Sequence, residues 1–389
     1  MNSTLKDKLE SILQHDPGSV KKSQKEMFDE NAGGAAGSIV LCGAGPLGQR
    51  TLGCLRSIGI EPLAWVDNKV DLWTKSISGL VVMAPEDAVR RFGPSATFVV
   101  TVFNPSALMK QLSSLGCPRV VSYTLLYWKY PEALIPYGGV QEAKDITTHA
   151  ADIRKVYDLW GDEQSRREFV AQLEWRQSLD PKCLPQPNPA CETYFPDDLV
   201  RVTEKEVFVD CGAFDGDSVK SFLERVNYSF EQVIPLEPDP GNCLKLKTSV
   251  SKLPDEVSRK ISIHNVAVGA ARERVRFAAH GTAGSGISET GTVEADCLPL
   301  DEILEGILPT YIKMDIEGAE PEALMGARRL LKQNSAVWAI CLYHKGQHLW
   351  ELPFFIASLS DGYQLYLRRY AEDCWELVLY AIPKGRCLG

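Results

Sequence analysis

The chain has 389 residues, 44% of them hydrophobic and 24% charged, the balance of a soluble globular protein with room for two or three domains. A net charge of -9, with no long Lys/Arg block and no basic–aromatic alternation, argues against a nucleic-acid partner. Met1 to Leu13 lacks an apolar signal core and no run of about 18 apolar residues could span a bilayer, so a cytoplasmic protein without a membrane partner is expected.

Residues 1–37 read as a short helical lead that ends in the small-residue linker Asn31 to Gly37. A first α/β domain is placed at 38–140. Ile39–Cys42 is its opening strand and Leu47 to Ile58 a helix, followed by strands at Pro62–Val66, Phe98–Phe103 and Arg119–Tyr123. Its first turn, Gly43-Ala44-Gly45-Pro46-Leu47-Gly48, has the spacing of a dinucleotide fingerprint, and Asp67 ends the next strand about 20 residues on. Gly43, Gly45, Gly48 and Asp67 are therefore candidates for a second nucleotide site, for NAD or another nucleotide. No His, Lys or Cys at a recognisable dehydrogenase position accompanies them. An empty, structural turn is the competing reading.

Residues 141–200 are a linker, helical where Ile153, Val156, Tyr157 and Trp160 recur at helical spacing and proline-rich from Lys182 to Pro196. The second α/β domain runs over 201–389. The fold expected is thus α/β, with two Rossmann-like doubly wound domains in tandem joined by a helical linker. Eleven cysteines are scattered with no Cys-x-x-Cys pair, which suits reduced thiols and no zinc cluster.

The most informative stretch is Val207 to Ser218. An apolar strand ends in Asp210, then come Gly212, Ala213 and Gly216, then an amphipathic helix led by Val219, Phe222 and Leu223. This is the strand–turn–helix at which an open α/β sheet holds a nucleotide-like ligand. An acid there repels a pyrophosphate but suits a ligand bearing an amino or sulfonium group. Gln232 to Pro238 places Glu237 at a second strand tip, where a carboxylate can take both hydroxyls of a ribose. Ile261 to Val268 is a third strand, with Asn265 at the level of an adenine edge. Tyr311 to Glu320 is the fourth, ending Asp315-Ile316-Glu317-Gly318-Ala319-Glu320, an unusual density of acid after a buried run. Gly281 to Gly291 could close over a ligand as a flexible loop. Trp338, Tyr343 and Trp350 are read as core more than as a substrate platform.

These runs, with Leu300-Asp301, Tyr343-His344-Lys345 and Leu349 to Pro353, resemble the FkbM family of S-adenosylmethionine-dependent methyltransferases, which have the Rossmann-like class I fold. The resemblance covers about 201–383. The segment from Trp160 to Pro196 is similar to members with an N-terminal Rossmann-like domain, itself similar to nucleotide-binding modules of sugar-modifying proteins. One departure is the turn Asp-Cys-Gly-Ala-Phe-Asp-Gly in place of a denser glycine pattern. The resemblance implies that Asp210, Gly212, Ala213 and Gly216 hold the methionine end of S-adenosylmethionine. It also implies that Glu237 holds the ribose, that Asn265 and Val266 flank adenine, and that Asp315 contributes at the cofactor. The expected activity is O-methylation of a hydroxyl on a sugar or other secondary metabolite.

Candidates for the chemistry are Asp315, Glu317 and His344, with His344 as base or acceptor-orienting group. The same three could instead collect a divalent ion. The partner expected is a small-molecule acceptor, and a homo-oligomer is left open. Two other functions fit the residues: an NAD-dependent oxidoreductase centred on Gly43 to Asp67, and a non-catalytic nucleotide-binding module.

Overall fold

In a computed structural model the described residues are 4–33, 38–135, 143–278, 286–287, 291 and 293–388. They cluster into two compact units. One comprises 1–150, 170–187 and 371–375, the other 151–169, 188–370 and 376–389. The linker expected at 141–200 is therefore divided between the two units.

The first unit is built on a six-stranded sheet. Its strands are β1 (Ile39–Cys42), β2 (Trp65–Val66), β3 (Ser76–Ile77), β4 (Leu80–Met83), β5 (Thr97–Val100) and β6 (Val120–Ser122). Their order is β3-β4-β2-β1-β5-β6, parallel except for the β3–β4 pair. The β3–β4 hairpin turns on Ser78 and Gly79, both with positive φ, the conformation of a two-residue hairpin turn. β1 and β5 are buried along their whole length, so they lack the alternation of a half-exposed strand and read as continuous apolar runs. The helical lead belongs to this unit. Helices Leu5–Leu13 and Pro17–Ala32 bury Leu9 and Phe28 completely, and Phe28 packs with Leu41, Leu52 and Trp65.

The second unit holds β7 (Val207–Cys211), β8 (Gln232–Leu236), β9 (Ala267–Val268), β10 (Glu273–Ala278), β11 (Gly286–Ile287), β12 (Val293–Leu298), β13 (Tyr311–Met314), β14 (Val337–Cys341), β15 (Tyr363–Arg369) and β16 (Leu377–Pro383). Its main sheet has the order β15-β16-β14-β13-β7-β8, with β8, β7, β13 and β14 parallel and β16 antiparallel between β14 and β15. Parallel bridges from Val233 to Ile261 and from Leu236 to His264 extend the sheet beyond β8. Both expected Rossmann-like sheets are thus present, and the second has the class I methyltransferase arrangement. The third strand is short: only Ala267–Val268 is regular, in a small sheet of order β11-β10-β12-β9.

Below the sheet, Phe208 stacks on Phe222 at 4.6 Å between ring centroids, and Phe195 meets both Phe208 and Tyr311. That aromatic contact fixes the helix Asp217–Arg225 under β7. At the far edge, buried Arg368 and Arg369 end β15. Arg368 pairs with Asp162 and Asp198, and Arg369 with Glu168, so the residues 151–169 are tied to this sheet by charge as well as by packing.

Candidate active site

The parallel strands β7, β8, β13 and β14 all deliver their C-terminal ends to one rim, where open α/β sheets bind ligands. Because β16 runs antiparallel, with Cys341 opposite Val378, its start brings Glu376 to the same rim. A cavity of about 480 Å³ opens there, lined among others by Tyr194, Gly212, Glu237, Val266, Asp315, Glu317 and Glu376. That size suits a nucleoside-sized ligand.

The floor is a buried ion pair. The register sets Lys313 of β13 opposite Asp210 of β7, and Lys313 Nζ lies 3.0 Å from Asp210 Oδ1. Lys313 also donates to the Gly212 carbonyl at 2.7 Å, and Ser218 Oγ donates to Asp210. Burial disfavours the Lys313 ammonium, but the charges of Asp210 and Asp315 outweigh it and raise its pKa. Burial raises that of Asp210 against the pull of Lys313. Asp210 is fully buried and does not line the cavity; Lys313 does. The strand-end acid therefore meets a ligand through Lys313 and not directly.

Gly212 follows with φ +81°, and a Cβ there would stand 1.9 Å from the Asp315 carbonyl oxygen. No other residue fits between the two strand ends. Ala213 is buried, and Gly216, also at positive φ, starts the helix. Neither lines the cavity. Glu237 does, though both of its oxygens already accept backbone N–H groups, from Phe214 at 2.8 Å and Asp239 at 2.9 Å. Each oxygen keeps a second lone pair for a ligand. Burial pushes Glu237 up to about 7. Val266, Ala267 and Val268 form an apolar wall. Asn265 does not join it: its side-chain amide donates to the Glu237 and Pro238 carbonyls and fixes the bend between them.

At the other end of the cavity the three residues proposed for chemistry converge. His344 Nε2 lies 3.1 Å from Asp315 Oδ1 and 3.8 Å from Glu317 Oε2, while Nδ1 pairs with Glu320 Oε1 at 2.8 Å. Asp315 also accepts the Tyr194 hydroxyl at 2.8 Å and the Tyr343 hydroxyl at 3.2 Å. Burial would depress the His344 pKa, but the charges of Glu320 and Asp315 overcome it and hold it well above the usual histidine range. These two carboxylates favour the protonated ring over the neutral ring that a base requires. Burial acts the other way on Asp315, yet His344 and Lys313 keep it below the usual carboxylate range. Burial pushes both Glu317 and Glu376 up to about 7.

Several site residues were not picked out from the sequence. A lysine within the buried run Tyr311 to Met314 is a signal, since an unpaired charge there is costly. Glu320 sits in the acidic run and is completely buried, bridging His344 and His348. Tyr194 comes from the proline-rich segment and Glu376 from the chain before β16, and no local pattern points to either. Trp338 and Trp350 are core, as read; Tyr343 also lines the cavity. Gly281 to Gly291 falls almost wholly outside the described residues.

In the first unit the glycine turn leads into the helix Pro46–Ser57. A Cβ on Gly48 would be 2.0 Å from the Gly43 carbonyl oxygen, so this glycine allows helix and strand end to touch. Gly43 itself is at φ +109°, and Gly45 caps the helix in an extended conformation. Asp67 Oδ2 accepts from Ala44 N at 3.0 Å and braces the turn, while Oδ1 accepts from its own neighbour Lys69 N at 2.9 Å.

Residues 210–365 match the family described as the methyltransferase FkbM domain. The chain carries an FkbM methyltransferase domain. It is accordingly an S-adenosylmethionine-dependent methyltransferase. The methyltransferase FkbM of Methylobacillus flagellatus KT is similar in fold across 97% of this chain and 99% of its own, with a TM-score of 0.76 and 23% identity. The precorrin-6y C5,15-methyltransferase of Geobacter metallireducens GS-15 matches at 13% identity and TM-score 0.30, over 47% of this chain and 81% of its own. Fibrillarin of Aeropyrum pernix matches at 9% and 0.28, over 49% and 73%. Comparison with curated proteins returns no match. Among the described residues no helix is long and apolar enough to cross a membrane.

Proposed function

We propose that this FkbM methyltransferase domain transfers the methyl group of S-adenosylmethionine to a hydroxyl of a saccharide or other small secondary metabolite. The observation that carries the reading is the single cavity that joins Glu237 at the tip of β8 to Asp315 and Glu317 beyond β13. Glu237 takes the ribose diol, the wall of Val266 to Val268 takes the adenine, and Lys313 with the Gly212 carbonyl marks the methionine end. Bound there, the cofactor supplies an electrophilic methyl on a sulfonium. The carboxylates of Asp315, Glu317 and Glu376 lie toward that same methionine end, away from Glu237, and favour the positive charge.

The acceptor oxygen forms the new C–O bond as the S–C bond breaks, and its proton passes to a carboxylate. Glu317 and Glu376, both poised at about 7, are the groups able to take it. The rings of Tyr194 and Tyr343 at the cavity suit the apolar face of a sugar.

The test is transfer of labelled methyl from S-adenosylmethionine to a panel of saccharide and aglycone alcohols, with cofactor binding followed by calorimetry. Glu376→Gln is expected to lower kcat by about 10²–10⁴-fold while cofactor affinity is kept. A folded protein that binds no S-adenosylmethionine, or methyl transfer confined to nitrogen acceptors, refutes the reading.

A further inference from the structure

His344 is 6% exposed, and its Nε2 makes no directed hydrogen bond although it faces Asp315 and Glu317. One donor atom from each of the three residues lies within 4.8 Å of the other two. In a six-coordinate cation with bonds of about 2.1 Å, neighbouring donors stand about 3 Å apart. The separations of 3.1 and 3.8 Å from Nε2 are of that kind. The surroundings are also those of a metal ligand set. Nδ1 of His344 is engaged by Glu320 Oε1 at 2.8 Å, the carboxylate–histidine arrangement that aims the other ring nitrogen at a metal. Tyr194 donates to Asp315 Oδ2 and so orients that carboxylate, leaving Oδ1 toward His344. Glu317 is held at φ +55°, a conformation uncommon for a residue with a side chain and one that recurs at functional sites. Lys313, whose charge acts on Asp315, is committed to Asp210 and the Gly212 carbonyl.

We infer that Asp315, Glu317 and His344 bind one divalent cation, whose remaining positions open into the cavity and take the acceptor's hydroxyl oxygen. One imidazole with two carboxylates suits Mn²⁺ better than the all-oxygen preference of Ca²⁺ or the thiolate preference of softer ions. Asp315 and Glu317 line the cavity while His344 stands behind its wall, so the open positions face the acceptor. The cation lowers the pKa of the coordinated hydroxyl, whose proton leaves to Glu376, outside the ligand set. The role at the acceptor rests on the methyl-transfer reading; the binding of the ion does not.

The full chain, stripped with EDTA and dialysed, is titrated with Mn²⁺ while free Mn²⁺ is followed by electron paramagnetic resonance, with Mg²⁺ as competitor. One Mn²⁺ per chain is expected, weakened about tenfold or more by His344→Gln and by Glu317→Gln. Glu320→Gln should weaken it by about 10–100-fold through orientation of the ring. Glu317 is one-third exposed, so its variant keeps the fold and the test stands even where a buried variant does not. No saturable Mn²⁺ binding by the wild type overturns the inference, as does binding that Glu317→Gln leaves unchanged. Calorimetry with S-adenosylmethionine on the same samples separates the two readings. Mn²⁺ bound without cofactor sinks the methyl-transfer reading alone, and cofactor bound without Mn²⁺ sinks the metal site alone.

Discussion

Replacing Lys313 by Met removes a buried ammonium and leaves its shape. Lys313 is 3% exposed and Asp210 not at all, so neither charge is screened by water. In the variant Asp210 keeps the Ser218 hydroxyl, while Oδ1 faces a thioether. Removing one partner of a buried ion pair costs about 3–5 kcal/mol. For a unit of this size that lowers the Tm of its unfolding transition by roughly 6–20 °C. The pH dependence has a definite sign. An acid whose folded-state pKa is raised contributes stability that is present below its unfolded value and lost as pH rises through the folded one. Asp210 is already raised by burial, and loss of Lys313 raises it further. The deficit of the variant should therefore be largest at pH 8 and shrink toward pH 5, as Asp210 takes up a proton. Asp210→Asn added to Lys313→Met should recover much of the loss, because no buried charge remains. Calorimetric scans of wild type, both single variants and the double variant at pH 5 and 8 complete the cycle. A deficit under about 1 kcal/mol at pH 8, or a double variant as unstable as Lys313→Met, refutes the reasoning.

Gly212→Ala forces a Cβ against the Asp315 carbonyl and places a side chain at φ +81°, a backbone strain of about 1–3 kcal/mol before any displacement. Calorimetry should show S-adenosylmethionine affinity reduced about tenfold or more, and unchanged affinity would remove the turn from the site. Glu237 titrates at about 7, and a ribose diol is best held by the ionised form. Cofactor affinity should rise as pH is taken from 6 to 8, flatten above that, and lose this dependence in Glu237→Gln. The contribution of Glu237 to stability runs the other way, fading as pH rises through about 7, so binding and unfolding measured across the same range should move oppositely.

Some of this site is legible from short stretches of chain. A strand that ends in an acid and a glycine turn must present that turn at a sheet edge, because a continuous apolar run and the need for positive φ are local properties. Gly212, Glu237 and Asp315 were found that way, and so was the sequence of strands that makes an α/β domain. The short strands β3 and β4 were missed, since a two-residue pairing leaves little periodicity to read.

Other features depend on which strands become neighbours. Only the pairing of β7 with β13 makes Lys313 the partner of Asp210 and withdraws that acid from the cavity. Only the insertion of β16 beside β14 brings Glu376 to the rim, and only tertiary packing carries Tyr194 from a proline-rich segment to Asp315, 121 residues away. The charge state of His344 belongs here as well. From the sequence it is an ordinary histidine with a pKa suited to a base, and that pKa is raised because Glu320 and Asp315 lie beside it after folding. Local spacing determined the turns and the strand tips, whereas a pKa is set by desolvation and by charges a few ångströms away in space, and those the tertiary structure decided.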